Sequence, residues 1–374
     1  METVRGRRDV WLLFLLSFML AFLSGAAWEG TGRFPHAIAL GDFDRDGHLD
    51  LAVAASAERK VTVLLGDGRG GIRANHSYPV GKGPVWVATG DLNGDGVLDL
   101  VTADTNGDSL SVYFGDGTGR FARREEIKGL PTPVAVGVGD FNRDGLMDLA
   151  VIHALQSKLS ILLNKGKGTF DTPVDYRVGL KPHILAVSDL NQDGILDLLV
   201  TSLGRHTVSV FLGKGDGTFR EARVTKVGRF PHYMAFGDYD RDSHLDLAVV
   251  CAGEDTVNIL FGDGTGALVK KGEVAVGINP HGLTLADFNG DGLPDLAISN
   301  RSSRDITILL GDGSGGFRRV RDIPVGQDII VLASGDFNED GKADLALVSA
   351  SSHAVAIYFG DGMGGFAPKP MERG

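Results

Sequence analysis

The chain has a single cysteine, Cys251, in 374 residues, so no intramolecular disulfide framework supports it. Aromatic residues make up only 7% of it, which leaves no obvious platform for stacking sugars. Basic residues are outnumbered, 37 Lys and Arg against 48 Asp and Glu, for a net charge of -11. Nucleic acid is excluded as a partner on that ground, because phosphate binding needs clustered Lys and Arg. After residue 27 no segment is apolar enough to span a membrane. No stretch shows helical periodicity. No Gly-x-Ser-x-Gly elbow, Walker loop or His-Glu-x-x-His motif occurs, so no catalytic constellation can be named and the chain reads as a non-enzyme. Glycine, by contrast, is abundant: 54 residues, about twice ordinary usage, as short strands and tight turns require.

The N-terminus differs from the rest. Arg5, Arg7 and Arg8 precede an uncharged apolar run from Val10 to Phe22, and Ser24, Gly25, Ala26 and Ala27 supply small residues for cleavage. Residues 1–27 therefore have the layout of a secretory signal peptide. An uncleaved anchor is the alternative, at the short limit of the roughly 20 residues a span needs, and only then is a membrane a partner. No nearby cysteine is available for lipid attachment. Either reading places the chain outside the cytoplasm: secreted, periplasmic or at the cell surface.

From Gly32 onward the sequence repeats. A nine-residue pattern, D-x-[DN]-x-D-G-x-x-D, starts at Asp42, Asp91, Asp140, Asp189, Asp238, Asp287 and Asp336, each 49 residues after the last. A period of that size marks solenoids, propellers or arrays. Within a unit, short β-type runs alternate with turn residues, as at Leu98–Ala103, Leu110–Phe114 and Phe121–Ile127. Four strands per unit make a propeller blade, and radial closure removes the free edges that an open stack would keep. The prediction is an all-β, seven-bladed β-propeller with four antiparallel strands per blade. Its blades lie approximately at 33–81, 82–130, 131–179, 180–228, 229–277, 278–326 and 327–374. The seventh unit ends Ala367, Pro368, Lys369, Pro370, and proline cannot donate to a ladder. Residues just after the signal peptide, Trp28 to Thr31, are expected to help complete the last blade.

The aspartate loops carry the clearest chemistry. Side-chain oxygens fall at loop positions 1, 3, 5 and 9, and alternate side chains of a tight loop converge. The backbone carbonyl near position 7 joins them, which suits the six to eight oxygen ligands of calcium. The candidate ligands are Asp42, Asp44, Asp46 and Asp50; Asp91, Asn93, Asp95 and Asp99; Asp140, Asn142, Asp144 and Asp148; Asp189, Asn191, Asp193 and Asp197. They continue with Asp238, Asp240, Asp242 and Asp246; Asp287, Asn289, Asp291 and Asp295; Asp336, Asn338, Asp340 and Asp344. Asp, Asn and Gly also favour turns without any metal, but seven copies holding the same four positions outweigh that reading. The missing Glu at position 12 and the absence of flanking helices exclude an EF-hand. Ser243 stands where the other loops have Gly at position 6, which should strain the fifth turn.

These residues resemble the FG-GAP and VCBS repeat family, whose best-known members form the propeller of integrin α-subunits. The marks are the aspartate loop running into Leu-Asp-Leu-Ala-Val (Leu49 to Val53 and its equivalents) and the glycine turn Gly311 to Phe317. The Phe-Gly and Gly-Ala-Pro elements of the integrin version are poorly matched, which places the chain nearer the VCBS-like branch. The resemblance implies a propeller with calcium as cofactor, bound between the first two strands of each blade. It implies no particular ligand.

Several first strands open with Pro then His: Pro35 with His36, Pro182 with His183, Pro231 with His232, and Pro280 with His281. Val85, Val134 and Ile330 take the place of His elsewhere. The four histidines are candidate ligand-binding residues ringing the channel mouth, where they would take a ligand or a transition metal; local packing beside each Pro is the alternative. The loops between second and third strands vary most, as at Glu58 to Lys60, Arg205 and His206, Glu254 and Asp255, and Arg301 to Asp305. They should share the face of the histidines. Cys251 reads as a buried apolar residue. Sequons occur at Asn75 and Asn300. Three functions fit: an extracellular binding or adhesion module for a protein or glycan, a carbohydrate-active enzyme (lyase or hydrolase) or lectin with its site at the channel mouth, and a purely structural part of a surface assembly.

Overall fold

A computed structural model describes residues 27–369; the signal peptide expected over residues 1–27 therefore lies, except for Ala27, outside the described residues. The described chain is all-β apart from one 3-10 turn at Thr105–Gly107, and it forms seven sheets. In the first, Pro35–Gly41, Asp50–Ala55, Lys60–Gly66 and Ile72–Pro79 pair in sequence order, each antiparallel to the next. The pattern recurs through the chain and makes a seven-bladed propeller.

Burial follows strand position. Second strands such as Asp148–His153 are buried at every residue, and fourth strands such as Arg123–Lys128 are mostly exposed. The apolar core lies between neighbouring blades. One cluster joins Val101, Leu110 and Val112 of the second blade to Val136, Leu149 and Val151 of the third. A blade alone cannot cover both of its faces, so its stability depends on its neighbours.

The last blade closes by a shared edge. Trp28–Gly30 pairs antiparallel with Ala354–Ala356, as expected from the sequence, and Phe366–Pro368 pairs with Tyr358–Gly360 of the same strand. The N-terminal and C-terminal segments of the described residues thus each supply half of the fourth strand. Thr31 adds a backbone hydrogen bond to the His353 carbonyl at 3.1 Å, and its own carbonyl accepts from Thr62 Oγ1 of the first blade.

The central channel is plugged. Trp86 of the second blade and Tyr233 of the fifth stack across it, with ring centroids 6.1 Å apart.

The last position of the second strand buries a polar group in most blades: Asp104, His153, Ser202, Asn300 and Ser349, with Cys251 in the fifth blade. Asp104 accepts from Ser111 Oγ, Thr102 Oγ1 and Gly81 N, yet burial pushes its carboxyl up to about 6. Because the folded-state pKa exceeds the ordinary value, the fold is more stable with this group protonated than with it ionised. Stability is present below about pH 4 and is lost as pH rises to about 6, by about 3 kcal/mol. The sixth blade shows an amide accommodated here: Asn300 Oδ1 accepts from Gly277 N, and its Nδ2 donates to Thr307 Oγ1 at 2.8 Å. Asp104→Asn is therefore expected to raise the melting temperature at pH 7.5 and to leave it unchanged at pH 4. Thermal scans of both proteins across that range check it, and an equal difference at both pH values would refute it.

Cys251 is fully buried, and burial pushes its thiol up to about 12, which fits an inert core residue. Asn300 is likewise fully buried and bonded, so its sequon is closed in the folded chain, whereas Asn75 is exposed on an outer strand.

Candidate functional site

Each blade turns from its first to its second strand through the aspartate loop, and the seven loops lie on one face. Every loop is wired alike. In the first, Asp42 Oδ1 accepts from Asp46 N at 3.1 Å and Oδ2 from Gly47 N at 3.0 Å. Asp46 Oδ1 accepts from His48 N at 2.9 Å, a side-chain turn within the loop. Asp50 is fully buried, with Oδ2 accepting from Phe43 N and Oδ1 from Gly66 N, both at 2.8 Å.

The position-9 aspartate thus ties the loop to the end of the third strand in each blade. Asp99, Asp148, Asp197, Asp246, Asp295 and Asp344 make the same two bonds. Burial pushes the carboxyls of Asp50, Asp99, Asp148, Asp295 and Asp344 up to about 6 against these hydrogen bonds, and the neighbouring loop carboxylates add to the rise.

The loops also join the blades. The residue at position 2 is buried in all seven: Phe43, Leu92, Phe141, Leu190, Tyr239, Phe288 and Phe337. Its N–H is held by the position-9 carboxylate, and in several blades its carbonyl accepts from a turn glycine of a neighbouring blade. Gly119 N donates to Phe43 O at 3.0 Å and Gly315 N to Tyr239 O at 2.7 Å. The turn glycine must lack a side chain: a Cβ on Gly315 would sit 1.9 Å from the Phe261 ring.

Carboxylate oxygens of Asp42, Asp44 and Asp50, and of Asp238, Asp240 and Asp246, each lie within 4.8 Å of one another. Asp44 Oδ1 is buried without a hydrogen-bond partner. A buried unpaired carboxylate oxygen among two further carboxylates suits a hard cation. Asp46 and Asp242 stand outside these groups of three. In the first loop the Arg73 guanidinium contacts Asp44 and bonds Asp46 Oδ2 at 2.7 Å, whereas the equivalent residue of the fifth blade is Val269. The remaining loops carry Asn at position 3. Asn93, Asn142, Asn191 and Asn289 each donate Nδ2 to the position-5 aspartate, and Asn338 Oδ1 accepts from Asp340 N.

Ser243 adopts φ +72 and still donates its N–H to Asp238 Oδ2 at 3.0 Å, as the glycines do in other loops. The turn therefore forms, with left-handed strain held in a residue that has a Cβ. Ser243→Gly is expected to stabilise the protein by about 1 kcal/mol, read as a higher melting temperature. A lower value would show that the serine hydroxyl contributes more than the strain costs. Position 4 is left-handed too, at Arg45, Arg143, Gln192, Arg241 and Glu339. The sequence carries little sign of this, since Gly occupies position 4 only at Gly94 and Gly290.

The opposite face carries the starts of the first strands and the loops between second and third strands, as expected. Ring nitrogens of His183, His232 and His281 lie within 4.8 Å of one another. His36, exposed on the same face, lies outside that group of three but close enough to act on the charge of His183 and His281. Burial, with charge repulsion from neighbouring histidines and Arg301, holds His183 at about 3, His232 at about 2 and His281 at about 4, so all three are neutral. The same face carries exposed large apolar residues in five of the blades: Phe34, Leu155, Leu180, Phe230 and Ile278. Phe34 and Phe230 precede first strands in a left-handed conformation, each at φ +54, an unusual posture for a bulky residue. Neither is marked in the sequence, because a lone Phe before Pro resembles ordinary loop chemistry.

Fold and loops together define a seven-bladed propeller with an acidic turn in every blade. Repeats described as FG-GAP-like match residues 42–102, 91–151, 140–200, 189–249, 248–298 and 287–347, and the chain belongs to that family. No curated protein matches it in sequence. Solved structures share the fold at low identity. The crystal structure of BBS1N in complex with ARL6DN is 15% identical with a TM-score of 0.63, covering 88% of this chain and 93% of that one. An inactive variant of virginiamycin B lyase from Staphylococcus aureus, solved with quinupristin, is 13% identical with a TM-score of 0.58, covering 88% and 95%. An Agrocybe aegerita lectin specific for non-reducing terminal N-acetylglucosamine is 18% identical with a TM-score of 0.55, covering 92% and 90%.

Proposed function

We propose that this chain is an extracellular propeller, held rigid by calcium in its aspartate loops, that recognises a protein or a glycan through the face bearing the histidines. The observation that carries the reading is that Phe34, Leu155, Leu180, Phe230 and Ile278, one from each of five blades, are all exposed on that one face, two of them in strained conformations. Exposed apolar groups held at an energetic cost mark an interaction surface. Calcium is supported by the converging carboxylates and the unpaired Asp44 oxygen, and secretion by the layout of residues 1–27. The similar structures include one bound to a protein and one that reads a sugar, so the fold accommodates either class. A second reading, an enzyme or lectin acting at the channel mouth, is favoured by the histidine cluster beside Arg301.

The test is binding of the labelled chain, in millimolar calcium, to arrays of glycans and of extracellular proteins. Specific binding is expected, lost in a Phe34→Ser, Phe230→Ser, Ile278→Ser variant and kept in Met363→Ser, whose side chain is exposed on the other face. Binding lost only in Met363→Ser would overturn the choice of face. Turnover of an arrayed oligosaccharide would favour the second reading.

A further inference from the structure

The geometry points to a site for a borderline divalent transition metal, of which zinc is the reference case, formed by His183, His232 and His281 at the mouth of the plugged channel. It goes beyond the recognition function above and does not depend on which ligand that face takes.

The backbone singles out the same three blades. In the first, second, third and seventh blades the ladder between first and second strands slips by one residue near its start, as between Pro35 and Ala37. In the fourth, fifth and sixth it is interrupted over two, between Pro182 and Leu185, Pro231 and Met234, and Pro280 and Leu283. The histidine and the residue after it leave the ladder there. Bulges of this kind re-aim side chains beside functional sites. The released N–H groups are recaptured by hydroxyls of the second strand: Ile184 N donates to Thr201 Oγ1 at 3.0 Å and Gly282 N to Ser299 Oγ at 2.9 Å. The irregularity is thus built in, and it turns three imidazoles toward one point.

The nitrogens are prepared for a metal. His281 Nδ1 lies 2.8 Å from the Ile330 carbonyl, which can only accept, so Nδ1 carries the proton and Nε2 offers its lone pair. His232 Nδ1 and His183 Nε2 are 3.0 Å apart and share one proton. Two nitrogens on a tetrahedral zinc stand about 3.3 Å apart, given bonds of about 2.0–2.1 Å. Replacing the shared proton by a metal needs a tautomeric shift of His232 and small ring rotations, with no net proton loss. Tyr233, with its ring centroid 6.2 Å from that of His281, and Trp86 stacked on it form the floor of the site. Three histidines leave a fourth coordination position for a ligand. The Arg301 guanidinium, paired with Asp328 at 3.9 Å, stands beside His232 and His281. That cation favours an anionic fourth ligand, such as a carboxylate of the molecule being recognised.

The test is titration of the chain, purified without a histidine tag and saturated with calcium, with zinc and separately with cobalt. One zinc per chain is expected, along with the intense visible absorption of four-coordinate cobalt. Affinity should fall about 100-fold or more in His183→Ala with His232→Ala and stay unchanged in His76→Ala, a histidine of the outer strand of the first blade. Calcium saturation separates failure here from failure of the aspartate loops. No zinc uptake by the unaltered chain, octahedral cobalt only, or uptake unchanged in the double variant would each overturn the assignment.

Discussion

Excess chelator is expected to lower the melting temperature of this protein by about 15 °C. Each of the seven loops carries three or four carboxylates, and in the first and fifth three of them lie within 4.8 Å of one another. Without a cation these groups repel one another, and the position-9 carboxyls are pushed toward their neutral form. A site at ten times its dissociation constant contributes about 1.4 kcal/mol, so seven amount to about 10 kcal/mol, and a domain of this size shifts by about 1.5–2 °C per kcal/mol. The effect should spread through the whole ring, because the position-2 residue of a loop is bonded both to its own position-9 aspartate and, in several blades, to a neighbouring blade. Thermal scans in calcium and in chelator, with metal counted by mass spectrometry, check this. No shift together with no bound calcium would leave seven ordinary Asp-Gly turns.

Asp148→Ala is expected to destabilise the chain by about 3–5 kcal/mol even in chelator. Asp148 is fully buried and accepts from Phe141 N at 2.9 Å and Asn164 N at 2.8 Å. Alanine leaves both donors buried without a partner, each at about 1–3 kcal/mol, and opens a small void. Asp144→Ala is the contrast. Its Oδ1 accepts from Leu146 N on the exposed loop, where water replaces the carboxylate, so its main effect should appear only when calcium is present. Denaturant unfolding of both variants with and without calcium separates the two roles. Equal losses in both conditions for both variants would remove the distinction.

That distinction was hidden in the pattern. The nine-residue repeat presents position 9 as one ligand among four, and only the fold shows Asp50 and its equivalents bridging the loop to a strand end 16 residues further on. Position 4 was hidden too, since a left-handed Arg45 or Gln192 carries no mark in sequence. Closure was half legible: the proline-rich end announced an incomplete edge, but the division of that edge between Trp28–Gly30 and Phe366–Pro368 depends on the ring returning to its start.

By itself the sequence determined the number of blades, the strands within them and the aspartate loops. All of these follow from local spacing: a 49-residue period, alternation of apolar residues, and turn chemistry within nine residues. What stands on the other face only the tertiary structure decided. His183, His232 and His281 are each separated by a full repeat, and Trp86 meets Tyr233 from the far side of the ring. Their distances depend on how tightly seven blades pack around the axis and on where the bulges fall. Those are consequences of the assembled core and are encoded in no single repeat.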